Sequence, residues 1–205
     1  PYYDEGKTMG LAPFGNPDVY KEEISKMVRV DKNGKLHFDL SYFDVSNNLS
    51  LEQFSPKFYE KFGKARNPGE EFTQRHMDIA AAFQRVLEDR VLEICDVLYR
   101  KTKTDYLVIS GGVSLNSVMN GRIVRESKFK DVYVMPAAGD NGTAIGAAYY
   151  LYNGTLKQPR NFVHLDPYVG SAYTNEEIEM VLKGSKLNYE YVEDVEEQAA
   201  SLLEK

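Results

Sequence analysis

Residues 106–148 read YLVISGGVSLNSVMNGRIVRESKFKDVYVMPAAGDNGTAIGAA, and this stretch decides the fold. Tyr106–Ile109 is a four-residue apolar run, read as a short, fully buried strand, and Ser110-Gly111-Gly112-Val113 follows it at once. Leu115–Glu126 has apolar residues at helical spacing, which predicts a helix with Leu115, Val118, Met119 and Ile123 on one side. Val132–Met135 reads as a second buried strand. It ends in Pro136-Ala137-Ala138-Gly139-Asp140-Asn141-Gly142-Thr143, which opens a helix of small residues (Ala144, Gly146, Ala147, Ala148). Strand, helix, strand, helix over so few residues is a βαβα unit, and its two strands are expected to be parallel.

A right-handed crossover sets the two strands side by side with their carboxyl ends on one edge, where open α/β sheets bind ligands. The loops Ser110–Val113 and Pro136–Gly142 therefore belong together. Gly111 and Gly112 carry no Cβ, so a ligand can approach the backbone, and each loop leads into a helix whose first amides are unpaired and favour phosphate oxygens. Asp140 breaks that pattern. A carboxylate among phosphate-binding amides repels the ligand unless a cation lies between them, so the constellation points to a metal–nucleotide site. Other readings stay open at this stage. The glycines also suit tight strand-to-helix packing, Asp140 also suits a helix cap, and Asn116 suits either a helix terminus or a contact to base or ribose.

Working outward, residues 1–17 (PYYDEGKTMGLAPFGNP) read as loop and turn with a short helix. Lys7 in this segment can meet an anion or simply face solvent. Gly6-Lys7-Thr8 is no P-loop, since the GxxxxGK[ST] spacing and the preceding strand are both missing. A helix is expected over Val19–Met27, and Asp31-Lys32-Asn33-Gly34 predicts a hairpin between Met27–Val30 and Lys35–Leu40. The Ser/Asn stretch 46–50 reads as loop, and Pro68-Gly69 closes the region. From Glu70 to Lys101, Ile79, Phe83, Val86, Leu87, Val91, Ile94 and Leu98 recur every three or four residues, predicting one long amphipathic helix with Glu70 and Glu71 at its start. Residues 153–170 read as a linker. Beyond it, Thr174 and Glu177 have capping-box spacing, Leu187–Val192 suggests a strand, and Val195–Leu203 suggests a helix.

The composition narrows the function. The 205 residues are 42% hydrophobic and 27% charged, an ordinary globular balance that argues against disorder. The net charge of −6 and the lack of a long basic run disfavour a nucleic-acid partner. No apolar stretch reaches the ~20 residues that span a bilayer, so no membrane partner is expected. A single cysteine, Cys95, leaves no internal disulfide or CxxC metal site and fits a reducing, cytoplasmic compartment. At its place in the long helix it reads as a small buried hydrophobe. His37, His76 and His164 lie far apart without metal-ligand spacing and read as surface or packing residues. The start at Pro1, directly in a Gly-containing motif, reads as an excised piece of a longer protein.

Four motifs carry a family likeness. Gly6-Lys7-Thr8-Met9-Gly10-Leu11-Ala12-Pro13-Phe14-Gly15 resembles the GKxMGLAPYG segment of the NodU/CmcH carbamoyltransferases, with Phe14 for the usual Tyr. Asp78-Ile79-Ala80-Ala81-Ala82-Phe83-Gln84, with Leu87-Glu88, resembles their helix before the nucleotide loop. Ser110–Gly121 resembles SGGVALNCVANG, and Pro136–Ala148 resembles PAAGDAGTALGAA. The resemblance implies an actin-like ATPase fold of the ASKHA, RNase H-like class, related to the tRNA threonylcarbamoyl transferases. In that scheme residues 1–152 are the C-terminal half of the actin-like (Kae-like) domain, 153–170 the linker, and 171–205 the truncated start of a YrdC-like domain.

The implied chemistry passes a carbamoyl group from carbamoyl phosphate, through carbamoyl-adenylate made with ATP, to the hydroxyl of a small-molecule acceptor. By position Asp140 resembles the catalytic, metal-ligating aspartate for an iron-type divalent ion. Gly111, Gly112, Val113, Asn116, Gly139 and Asn141 resemble the nucleotide-binding loops, and Lys7 sits in a motif near the acceptor pocket. The family's metal-binding HxxxH does not occur here, nor does its GPRALGNRSI-type motif, so this chain alone is expected to be inactive. A homodimer is compatible with the likeness. Two other functions fit the same loops: an ASKHA-type sugar or acid kinase, and a non-catalytic nucleotide-binding module in which Asp140 only caps a helix.

Overall fold

A computed structural model describes residues 5–44 and 54–204; the predicted loop at 46–50 lies outside them. The chain divides into two units, Pro1–Leu165 and Asp166–Lys205.

The first unit is organised on one long helix. A short helix α1 (Glu5–Leu11) runs into single 3₁₀ turns at Ala12–Phe14 and Pro17–Val19, so the GKTMGLAPFGNP segment is more helical than a loop. These turns dock on the long helix: Asn16 N–H donates to Asp78 Oδ1 (2.7 Å), which also accepts from Gln74 Nε2 (2.8 Å). The backbone hydrogen bond and the Gln74 amide hold the Asp78 carboxyl below its usual range. Helix α2 (Lys21–Met27) leads into the predicted hairpin, whose strands β1 (Val28–Val30) and β2 (Leu36–Phe38) pair antiparallel with Val28 opposite Phe38. Helix α3 (Pro56–Phe62) starts on proline at its first position, where the missing N–H costs nothing.

Asp31 organises the hairpin turn. Its carboxylate accepts from the backbone N–H of Asn33 (2.8 Å) and Lys35 (3.0 Å) and meets His37 Nε2 at 3.0 Å. The His37 contact, then the two backbone donors, hold the Asp31 carboxyl at about 2. A depressed carboxyl pKa contributes stability above its unfolded value, here 3.8, and that contribution is lost as the pH falls through about 2. An NMR titration should therefore show Asp31 protonating near pH 2. The Asn33 and Lys35 amides should lose exchange protection between pH 4 and 2, and an Asp31→Asn variant should show no such window.

The long helix, α4, spans Gln74–Thr102 and starts later than the pattern predicts. Thr73 takes the cap position, and His76 Nδ1 accepts its N–H at 3.0 Å, closing the first turn. Glu70 lies before the helix and instead accepts from Asn67 through both backbone and side chain. Two apolar clusters form along α4. One gathers Ile24, Met27, Tyr42, Phe58 and Phe62 around Ala82 and Val86. The other packs Cys95 against Met119, Ile123 and Phe129. Cys95 is thus buried as expected, and burial pushes its thiol pKa up, which suits packing and not nucleophilic attack.

After α4 the chain forms the parallel pair. Strand β3 (Tyr106–Ile109) and β4 (Asp131–Val134) run in register from Tyr106–Asp131 to Ile109–Val134, with α5 (Ser117–Glu126) as the crossover. The expectation of fully buried strands is corrected. Leu107 and Ile109 face the second cluster, whereas Tyr106 and Val108 are 71% and 70% exposed, because among the described residues no element covers their face. The helix after the first loop also begins later than Leu115. Gly112–Leu115 form a 3₁₀ turn, and Leu115 and Val118 are exposed while Met119 and Ile123 carry the packing. Helix α6 (Gly142–Tyr149) has no buried residue and continues as a π-helical turn over Tyr150–Thr155.

The second unit contains α7 (Asn175–Gly184) and α8 (Val195–Leu203). Thr174 and Glu177 form the predicted capping box, with Thr174 Oγ1 accepting from Glu177 N–H and Glu177 Oε2 from Thr174 N–H. Leu187–Val192 forms no strand. The stretch has the apolar composition of a strand but no partner to pair with, and strand order requires one.

Candidate functional site

The two glycine loops meet where sheet topology places them. Met135 N–H donates to Ile109 O (3.0 Å), extending the ladder past β4, and Gly111 N–H donates to Ala138 O (2.9 Å), tying one loop to the other. Gly111 has φ +103°, a conformation that side-chain-bearing residues rarely adopt. The turn behind it is closed by buried Ser114, whose Oγ donates to Gly111 O (2.7 Å), and by Asn120, whose amide donates to Ser114 O (2.7 Å). The second loop closes on Asp140 O, which accepts from both the N–H and the hydroxyl of Thr143 (3.1 and 2.7 Å).

Between these loops lies a cavity of about 1000 Å³, within the size range of small-molecule sites. Gly111, Gly112, Gly139 and Asp140 line it together. Asp140 spends its backbone carbonyl on the turn. Its carboxylate neither caps α6 nor pairs with a cation among the described residues. The other residues singled out lie elsewhere. Val113 is exposed and outside the lining, and Asn141 occupies the cap position of α6 without a side-chain cap bond. Lys7 is exposed on α1 and does not line this cavity.

Asn116 points away from the cavity, into the packing. Its Oδ1 accepts from Met119 N–H (2.9 Å), capping α5, and its amide exchanges two hydrogen bonds with Gln84 of α4 (3.0 and 2.8 Å). Gln84 also donates to Glu88 (2.7 Å), and Glu88 accepts from Arg122 (2.9 Å), which holds Asp89 and Glu126 as well. The Glu126 carboxylate foremost, against the opposing effect of burial and with help from Asp89 and Glu88, keeps the Arg122 guanidinium firmly protonated. This buried network fixes the first loop's exit to α4. Its one trace in the sequence is Gln84 and Glu88 at i, i+4 inside the apolar pattern of a helix.

Part of the cavity lining was not legible in the sequence. Tyr149 and Tyr150 from α6 and its π-helical continuation belong to it, as do Arg160 and His164 from the stretch read as linker. Tyr133 Oη donates to His164 O, fastening this stretch to β4. His164 is 4% exposed, and its Nε2 has no partner among the described residues.

Gly142 shows how tightly the second loop is built. A Cβ there would stand 1.9 Å from Ala137 O, a backbone atom that cannot swing aside. Gly142→Ala should therefore cost about 1–3 kcal/mol and displace the loop around Asp140. Chemical denaturation, with the Gly146→Ala variant as control, checks this, since a Cβ at Gly146 meets nothing within 4 Å.

Among the described residues no group of three His, Cys, Asp or Glu could hold one, so a resident ion has no complete set of ligands here. A divalent cation arriving on a nucleotide is different, because phosphates and waters fill most of its positions and one carboxylate suffices. Asp140 fits that second case.

Compared with known proteins, residues 1–149 match the family described as Carbamoyltransferase N-terminus, and the chain belongs to that family. An uncharacterized protein of Synechocystis, sll1178, is 39% identical over 93% of this chain and 32% of its own length. The nodulation protein NolNO of Sinorhizobium fredii is 30% identical over 97% of the chain and 28% of its length. The nodulation protein NolO of Bradyrhizobium diazoefficiens is 31% identical over 97% and 34%. The chain thus spans about a third of the length of these relatives. None of the described helices is long and apolar enough to cross a membrane.

Proposed function

We propose that this chain is part of an ATP-dependent carbamoyltransferase, cytoplasmic, in which the cavity between the two glycine loops holds the nucleotide. One observation carries the reading: Gly111–Gly112 and Asp140 share one cavity on the carboxyl edge of a parallel strand pair, and the Asp140 carboxylate has no partner among the described residues. The chain is then the second half of an actin-like domain, followed by the entry to a YrdC-like domain that makes carbamoyl-adenylate from carbamoyl phosphate and ATP. In the transfer step the oxygen of an acceptor hydroxyl bonds to the carbamoyl carbon. The bond from that carbon to the adenylate oxygen breaks, AMP leaves with the electron pair, and the hydroxyl proton is released. The loop amides would offset the phosphate charge, and Asp140 would hold a cation that arrives on the nucleotide. An iron-type ion would need ligands from beyond the described residues.

The test uses the full-length protein with ATP, carbamoyl phosphate and a panel of hydroxyl acceptors, following AMP release and carbamoylated product by mass spectrometry. AMP and a carbamate ester are expected; ADP and a phosphorylated acceptor would instead make it a kinase. In the same protein Asp140→Asn should weaken magnesium–ATP binding by roughly tenfold or more, the loss of a charge-assisted contact. Isothermal titration calorimetry reads this directly, and unchanged affinity would return Asp140 to a structural role.

A further inference from the structure

We infer that Arg160, in the stretch after the π-helical turn, is an anion-binding residue of this cavity and contacts the phosphate chain of the bound nucleotide. The inference deepens the nucleotide reading above and rests on it. Asp140 and Arg160 are the acidic and basic side chains among the described residues lining the cavity, and they do not pair with each other. Arg160 also has no ion pair or hydrogen bond elsewhere among the described residues. A guanidinium left without a protein partner, beside amides that already favour anions, suits planar, two-point recognition of a phosphate.

The placement of Arg160 is built. Asn153 Nδ2 donates to Gln158 O (3.1 Å) and Pro159 O (3.2 Å), holding the turn that reverses the chain just before Arg160. Lys157 within that turn has φ +55°, a local strain that the anchoring contacts sustain. Four residues later the Tyr133 hydroxyl fastens His164 O to β4. The stretch is therefore pinned on both sides of Arg160. His164, more than nine-tenths buried in the same lining and with no partner for Nε2 among the described residues, is an independent sign that this stretch keeps polar groups in reserve. A nucleotide that carries its cation gives both charges a counter-charge from one ligand, phosphate for Arg160 and the cation for Asp140.

The test compares wild type, Arg160→Gln and Arg160→Lys in the full-length protein, titrated with magnesium–ATP and with adenosine. Arg160→Gln should weaken magnesium–ATP roughly ten- to a hundredfold while leaving adenosine affinity and the melting temperature of the free protein unchanged. Arg160→Lys should recover part of the loss, and the salt dependence of ATP binding should be shallower in Arg160→Gln than in wild type. Unchanged ATP affinity, or equal losses for ATP and adenosine, would overturn the role of Arg160 while leaving the nucleotide reading standing. A wild-type protein that binds neither ligand would overturn both.

Discussion

Arg122→Met is expected to cost about 3–5 kcal/mol of folding stability, the range for removing one partner of a buried ion pair. Arg122 is 12% exposed and Glu88 5% exposed at their side chains, so the carboxylate left behind cannot recover solvent. The loss should propagate. Glu88 accepts from Gln84, and Gln84 exchanges hydrogen bonds with Asn116 at the cap of α5, directly after the Gly111–Gly112 loop. Chemical denaturation should show the loss, and the double variant Arg122→Met/Glu88→Gln should recover much of it, since the unpaired charge is then gone. If the double variant is no more stable than the single one, the network is not what supports the loop.

Phe62→Ala is the second large effect, about 3–5 kcal/mol for a truncated aromatic in a closed core. Phe62 is 1% exposed, with its ring centroid 4.5 Å from that of Phe58 and 5.7 Å from that of Tyr20. It is the centre of the cluster that joins α2 and α3 to α4. Its removal leaves a void that neighbours on three helices cannot fill together. Phe14→Ala, at a residue 68% exposed, should change stability by less than about 0.5 kcal/mol and serves as the comparison. Thermal unfolding followed by circular dichroism separates the two.

How much was legible follows from the range of the forces involved. The crossover helix, the hairpin and the capping box at Thr174 depend on residues within a few turns of one another, so spacing alone revealed them, and the parallel pair followed from the strand–helix–strand order. The same holds for the meeting of Gly111 and Gly112 with Gly139 and Asp140, because strand pairing and crossover handedness leave one arrangement. Boundaries slipped where a local competitor intervened: the Thr73–His76 contact delayed α4, and the 3₁₀ turn at Gly112–Leu115 delayed α5. Leu187–Val192 failed as a strand for the opposite reason, since apolar composition supplies a candidate and a partner makes the strand.

By itself the sequence determined the chemistry at hand: a glycine pair, a lone acid after a second strand, and the order of elements that puts them on one edge. Tertiary structure alone decided what each residue is free to do. It turned Asn116 inward to Gln84, placed Lys7 away from the cavity, left the Asp140 carboxylate without a partner among the described residues and brought Arg160 and His164 into the cavity lining. Those outcomes rest on contacts between residues tens of positions apart, and no periodicity along a chain encodes which distant partner a polar side chain will meet.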